Sequence, residues 1–495
     1  MSQSKTNVIA VTVAIYVATF VSAVEGTIVS TALPTIVGEL HGVSLMNWVF
    51  SIYLLTTAMV TPIYGKLADL IGRKPVIQVG LAIFIVGSTM SGLANNMPIL
   101  IFWRAVQGIG AGALLPVSMT IIADIYSYEK RAQVLGINNS AWGIAAVLAP
   151  LIGGIIIDKL SWHWIFFINV PIGIITMFLF QIFLHEPKHN KHEKIDYLGS
   201  FWLMLCLLGL MLSFQSLSNA IINWGIVLFE LLISIISLWL FIKRENRAVD
   251  PVISLKLFQN RPFIIQNAIA ALINGYLMAI SVYVPTWAQG ILGVPASFAG
   301  FALTPSSIFW IIGSFVTSYL LAKWTPRHIL YFSLSFIFVA GTWFALLPIT
   351  TKFGWFFLIT AISGFGFGIT MTTTTVTSQH LVAEKNVGVA TSFNTLGRTI
   401  GQTLMVSIFG IILNVGMQHG LKSHPGTTIS MMNKLINPKT ADQLPKNLLP
   451  DLRQVLYIGL HWVYIIGIIF VILSFFINGL DKHNWKQGKR RIMKY

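Results

Sequence analysis

Charge is scarce in this chain. Only 10% of its 495 residues are Asp, Glu, Lys or Arg, against about a quarter in a soluble protein. Too few charged side chains remain to coat a water-facing surface, which excludes a soluble multidomain enzyme. Acidic residues are the scarcest: 16 Asp and Glu stand against 32 Lys and Arg, a formal net charge of +16. The basic residues fall in short stretches between apolar runs and not on one basic domain, which excludes a nucleic-acid reader. The single cysteine, Cys206, excludes an intrachain disulfide or thiolate metal cluster and reads as a small side chain in an apolar run. The 11 histidines show no HExxH or clustered ligand spacing, so neither a metal nor a cofactor is expected. No nucleophile with a base, and no paired carboxylates, suggests an enzyme.

Apolar residues make up 55% of the chain, and the mean hydropathy is +0.76. Apolar stretches of about 20 residues, enough for a helix to cross about 30 Å of hydrocarbon, recur about fourteen times between Val8 and Gly479. The pattern predicts an all-α membrane protein with 14 transmembrane helices. The first stretch runs past signal-peptide length into Glu25 with no small-residue cleavage site, so it reads as a retained helix. Lys and Arg are concentrated in alternate connections. By the positive-inside rule, both termini are then cytoplasmic, the basic run 482–494 being a topology anchor.

The chain also repeats itself. Gly108, Gly110 and Gly112 recur as Gly364, Gly366 and Gly368, and Asn138 recurs as Asn394 at the same separation. Glu129 and Lys130 recur as Glu384 and Lys385, within one residue of that separation. These repeats predict two homologous six-helix halves, residues 1–190 and 251–495, with two inserted helices in 191–250. Halves of this kind place a substrate path at their interface near mid-membrane. The GxGxG runs lie inside apolar spans with no preceding strand, so they read as helix-packing sites and not dinucleotide loops.

An ionisable side chain at the centre of a spanning helix costs about 2.5–3.5 kcal/mol or more. Glu25 and Glu230 are the clearly acidic residues within the predicted spans. Counted at about 1.5 Å per residue, Glu25 lies about 12 Å from the outer end of its helix, and Arg104 about 9 Å inside its own. The two depths permit a pair. Either Glu25 exchanges a proton beside the Arg104 cation or the two form a structural ion pair. Glu230 lies on an inserted helix, where it is a coupling site or a protonated or snorkelling carboxyl. In the second half, Asn394 and Arg398 share one helix face. Arg398 needs an acidic, polar or anionic partner, as a substrate contact, a gate or a structural pair. Thr370 and the run 372–375 can bond back to their own helix carbonyls. Gln107, Asn138, Asn394, Arg398 and Glu230 are the candidates for a substrate cavity or gate. Gly65, Asp69, Gly72, Arg73 and Lys74 form a tight basic turn. With Asp124 and Arg131 they form a candidate latch closing the cytoplasmic side.

The segment Gly65–Lys74 resembles the signature loop GxLaDrxGrk of the major facilitator superfamily, and the segment from Arg104 through Gln107 to Gly110 resembles its fourth-helix arginine motif. Ala149, Pro150, Gly153 and Gly154 resemble the GPxxGG antiporter motif, with Ala149 where glycine is usual. The segment Glu25–Pro34 resembles the first-helix motif DxTivnvALP of fourteen-helix drug:proton antiporters, with Glu25 in place of aspartate. Residues 162–171 resemble that family's WRWiFxiNvP segment, with His163 in place of arginine. The resemblance implies the major facilitator fold and a proton-coupled antiporter that exports lipophilic, cationic drugs by alternating access. In that reading Glu25 carries the proton and Arg104 modulates its affinity. The protein would be a monomer with a small lipophilic substrate, multi-pass in a bacterial plasma membrane. An exporter of lipids or fatty acids is the alternative within transport, since Arg398 can receive an anionic head. A membrane sensor or scaffold without flux is the alternative outside it.

Overall fold

The computed structural model describes residues 6–126, 134, 141, 144–145, 148–149, 151–186, 196–217, 222–247, 259–382, 387–436 and 438–483. Among these residues the secondary structure is helical throughout. Twelve helices are long and apolar enough to cross a membrane. Fourteen were expected. Half of the stretch 132–157 lies outside the described residues, and the helix Tyr197–Leu217 carries a shorter apolar segment, Leu198–Phe214. Large apolar side chains such as Ile235, Phe315 and Phe476 point outward, 63%, 77% and 70% exposed, as suits helices solvated by lipid.

The chain forms two compact units. The first comprises Met1–Val252 with Val294–Gly300 and Ile429–Leu444. It contains α1 (Val8–Leu40), α2 (Trp48–Ile71), α3 (Arg73–Gly92), α4 (Met97–Ile125), α5 (Trp164–Phe167), α6 (Asn169–Phe183), α7 (Tyr197–Leu217) and α8 (Trp224–Glu245). The glycines of α4 set its packing. A Cβ at Gly108 would lie 2.1 Å from Thr56 Oγ1 of α2, and one at Gly112 2.4 Å from Val60. A Cβ at Gly110 would lie 2.2 Å from the Phe84 nitrogen of α3. The outer two glycines therefore seat α2 and the middle one seats α3. At this close approach Thr57 donates across to the Gly108 carbonyl at 3.1 Å. Backbones can approach so closely only where the side chain is a hydrogen.

The predicted inserted helices, α7 and α8, pack on each other through Gly209, where a Cβ would lie 2.9 Å from the Glu230 carbonyl. Ser234 donates to the Cys206 carbonyl at 2.9 Å. Arg244 pairs with the buried Asp196 at 2.9 Å at one end of the two helices.

The second unit comprises Ile253–Gly293, Phe301–Thr428 and Pro445–Tyr495. Its long helices are α9 (Arg261–Gly290), α11 (Thr304–Lys323), α12 (Pro326–Leu346), α13 (Gly354–His380), α14 (Val387–Ser423) and α17 (Leu449–Gly479). The short α10 (Ala296–Phe301) spans the unit boundary, and α15 (Ile429–Ile436) and α16 (Pro438–Ala441) belong to the first unit. The second glycine run works like the first. Gly364 and Gly368 abut α11, a Cβ at each lying 2.1 Å from the carbonyl of Ser306 or Trp310. Gly366 abuts α12, 2.6 Å from Ile337. The sequence repeat is thus a repeat of packing chemistry.

Substituting Gly364 by alanine forces a methyl into the Ser306 backbone, an overpacking cost of about 1–3 kcal/mol. Thermal unfolding in detergent should show a lower Tm for Gly364→Ala and an unchanged one for Gly354→Ala, where no atom lies within 4 Å. Equal Tm values for the two variants would contradict this packing account.

Candidate functional site

In the first unit, four helices bring polar side chains to one buried point, and α2 adds a carbonyl and a ring face. Glu25 projects from the middle of α1, Arg104 and Gln107 from α4 one turn apart, Ser88 from α3 and Asn169 from the start of α6. Glu25, Arg104, Gln107 and Ser88 have no solvent exposure. Arg104 Nη1 donates to Glu25 Oε1 and, at 2.7 Å, to Gln107 Oε1. Its Nε donates to the Val49 carbonyl of α2 at 3.1 Å. The guanidinium carbon lies 4.2 Å from the centroid of the Tyr53 ring, also on α2. The other carboxylate oxygen of Glu25, Oε2, accepts from Asn169 Nδ2 at 2.6 Å. Asn169 also donates to Ser88 Oγ at 3.0 Å, and the Ser88 hydroxyl donates in turn to the Phe166 carbonyl at 2.8 Å.

The expected pair therefore exists, set in a wider network. Both oxygens of Glu25 are engaged, as the ionised form requires, since a carboxylate is acceptor-only. Among the described residues Arg104 Nη2 and Gln107 Nε2 have no acceptor. The site thus has donors in reserve but no second acid. A proton placed on Glu25 would remove the counter-charge of Arg104 while leaving it Val49, Gln107 and the Tyr53 face. Asn169 and Ser88 were not among the predicted site residues. The signal for Asn169 lay in residues 162–171, whose fixed asparagine opens α6, but no spacing rule brings that asparagine to Glu25.

The turn between α2 and α3 is a second, separate cluster. Gly72 has φ 101°, a conformation natural to glycine, and it starts α3 directly at Arg73. Arg73 Nε meets Asp124 Oδ2 of α4 at 2.9 Å. Glu186, unpredicted, caps α3: its two oxygens accept from the backbone nitrogens of Arg73 and Lys74 at 2.9 and 3.0 Å, satisfying orphan donors at the positive helix end. Lys74 Nζ donates to the Gln181 carbonyl at 2.7 Å. Gly65 faces open space. The side chain of Asp69, and Arg131, Asn138 and Pro150 as a whole, lie outside the described residues.

Gly153 and Gly154 are contact points. A Cβ at Gly153 would lie 2.6 Å from Ile28 of α1, and one at Gly154 2.3 Å from the Ser297 backbone. Trp162 donates to Glu39 Oε2 at 2.7 Å. His163 stacks on Trp162 with ring centroids 3.8 Å apart, and burial pushes its pKa down. Glu230 is partly buried on α8, and its Oε2 has no donor among the described residues.

In the second unit Asn394 donates to Asn267 of α9 at 2.9 Å and accepts from Thr375 of α13 at 3.0 Å. Thr374 and Thr375 bond back to the Met371 carbonyl as expected, at 3.1 and 2.9 Å. Thr370 instead crosses to Ser333 at 2.8 Å.

Residues 15–406 match the family model described as Major Facilitator Superfamily. Among curated proteins, the chain is 34% identical over 490 residues to the multidrug transporter protein MdtP of Bacillus subtilis (strain 168), covering 92% of this chain and 89% of the relative. It is 32% identical over 466 residues to multidrug resistance protein 3 of the same organism, covering 92% and 91%. It is 30% identical over 411 residues to the multidrug efflux pump SdrM of Staphylococcus aureus (strain N315), covering 81% and 89%. A solved bacterial homologue of the human lysosomal transporter Spinster, inward-facing and unoccupied, shares the fold with TM-score 0.65 and 18% identity over 97% of both chains.

Removing the second donor to Glu25 tests the network. Asn169→Leu leaves Oε2 buried without that hydrogen bond, at about 1–3 kcal/mol. The Tm in detergent should fall by several degrees, and an unchanged Tm would show that the Asn169 contact contributes nothing to stability.

Proposed function

Because this chain belongs to the Major Facilitator Superfamily, we propose that it is a proton-coupled antiporter exporting lipophilic, cationic compounds by alternating access. It is a transporter and not an enzyme. The observation that carries the coupling is Glu25, buried on α1 with Arg104 on one oxygen and Asn169 on the other. The printed names of three relatives as multidrug or efflux proteins support the direction and the kind of substrate.

The chemistry follows from charge balance. With Glu25 ionised, the Glu25–Arg104 pair is neutral and holds α1, α4 and, through Asn169, α6 together. When Glu25 takes a proton, Arg104 becomes a buried cation without a counter-charge, and breaking such a pair costs about 3–5 kcal/mol. That cost falls when the helices rearrange to solvate the guanidinium, so proton uptake favours a different arrangement of α1 against α4. Proton release to the other side restores the pair. One charge moved through 100 mV is worth about 2.3 kcal/mol, which sets the scale of uphill export. The Arg73–Asp124 pair and the Glu186 cap act as the latch that must open on the cytoplasmic side.

In this reading residues 132–157 and α7 complete fourteen spans, arranged as halves 1–190 and 251–495 around the insertion 191–250. Both termini face the cytoplasm of a bacterial cell, and the monomer is the working unit.

In inverted membrane vesicles with an acid interior, addition of a lipophilic cationic dye should release lumenal protons. Glu25→Gln keeps the size and one carbonyl acceptor for Arg104, so the protein should still purify as a folded monomer while substrate-driven proton release falls at least about tenfold. Full uphill transport by Glu25→Gln on a pH gradient alone would refute the coupling.

A further inference from the structure

We propose that Arg398 is the contact point for an anionic group on the transported molecule, a carboxylate or phosphate on a lipophilic body. The proposal rests on the export reading above and adds to its cationic compounds a second class, amphiphiles that carry an anionic group.

Arg104 and Arg398 lie well inside apolar helices, in unlike surroundings. Arg104 has a carboxylate, an amide oxygen, a backbone carbonyl and an aromatic face. Arg398 sits on α14, eleven residues or about 16 Å beyond its first residue. It is only partly buried, and among the described residues no hydrogen bond or ion pair reaches it. No acid is close in sequence either: α9, α11, α12, α13 and α14 contain no Asp or Glu, and Asp451 stands in the first turn of α17.

The amide side chains one turn to either side of Arg398 both reach across to α9. Asn394, Arg398 and Gln402 recur at four-residue intervals and so share one face of α14. Asn394 bonds to Asn267, and Gln402 donates to Asn274 at 3.4 Å, both on α9. The α9 residues level with Arg398 are therefore Ala270 and Ala271, which offer no acceptor side chain. The helices are close there, a Cβ at Gly401 lying 2.1 Å from the Ala271 carbonyl. Asn267 donates in turn to Ser378 at 3.2 Å, and Thr375 to Asn394. A cation without an acceptor among the described residues, on a helix face between two amide contacts, is a site for an outside acceptor. A guanidinium accepts a planar oxyanion through two parallel N–H bonds.

The test compares one lipophilic body with and without the charge. Binding of a dansyl-labelled long-chain fatty acid and of its methyl ester is titrated by fluorescence on purified protein in phosphatidylcholine nanodiscs, at a pH where the acid is ionised. The wild-type protein should prefer the acid about tenfold. Arg398→Gln should bring the ratio to about one with ester affinity unchanged, and Arg398→Lys should retain part of the preference, since it keeps the charge without the fork. Equal binding of acid and ester by the wild type, or an undiminished ratio in Arg398→Gln, overturns the proposal. Should Arg398→Gln fail to fold, an undiminished ratio in Arg398→Lys overturns it instead. Repeating the titration with phosphatidylglycerol in the nanodisc identifies the source: weakened acid binding assigns the site to a lipid headgroup, unchanged binding to a free amphiphile. The measurement uses no proton gradient, so it stands whether or not Glu25→Gln abolishes coupling.

Discussion

A charge with no solvent exposure at all has to be neutralised by its own protein, and in the first unit Arg104 and Glu25 do this for each other. Neither could keep its place alone, because lone charges of this kind cost more than a few hydrogen bonds return. Their pairing fixes α1 against α4. Val49 and Tyr53 bring α2 to the same point, Asn169 brings α6 and Ser88 brings α3. The helices are thus tied at a single buried locus, and a change in the charge there is felt by each of them. On the proposed reading this is why one proton can move a whole bundle.

Close packing makes that transmission possible. Lipid-solvated helices gain little by hiding apolar surface from their neighbours, so association depends on backbone approach and on hydrogen bonds across the gap. The glycines of α4 and α13 supply the approach, and Thr57 on α2 and Ser314 on α11 donate across the gap to glycine carbonyls. Because Gly108 and Gly112 seat one neighbour and Gly110 another, each run fixes a central helix against two partners. Rigid contacts of this kind pass on a displacement that looser side-chain packing would absorb.

The guanidiniums of Arg104 and Arg398 mark the difference between a paired and an unpaired cation. Arg104 has Glu25 and Gln107 as acceptors, with Nη2 still in reserve, so its contacts lie within the protein itself. Arg398 stands between two amide contacts with no acceptor of its own among the described residues, and on the proposed reading its charge is directed to a bound molecule. The α2–α3 turn belongs with the first kind: Arg73 has Asp124, and Glu186 closes the end of α3.

The sequence by itself determined the solvent, the helical class, the repeat and the most consequential pair. Lipid leaves few ways to satisfy backbone groups, and an ionisable residue in an apolar run stands out at once. Glu25 and Arg104 could be matched because depth along a helix can be counted. Of the antiporter-like motif, Gly153 abuts the Ile28 side chain and Gly154 the Ser297 backbone. Tertiary structure alone decided which further groups complete each site. Asn169, Ser88 and Tyr53 are neutral and depend on the rotation of each helix about its axis, while Glu186 follows the end of α6 and no spacing marks it as the cap of α3. Arg398 was visible as a charge, but its lack of a partner became visible only when Asn267, Asn274, Asn394 and Gln402 were seen to pair across α9 and α14. Counting residues gives depth within the membrane, whereas only packing fixes the azimuth that brings two side chains into contact.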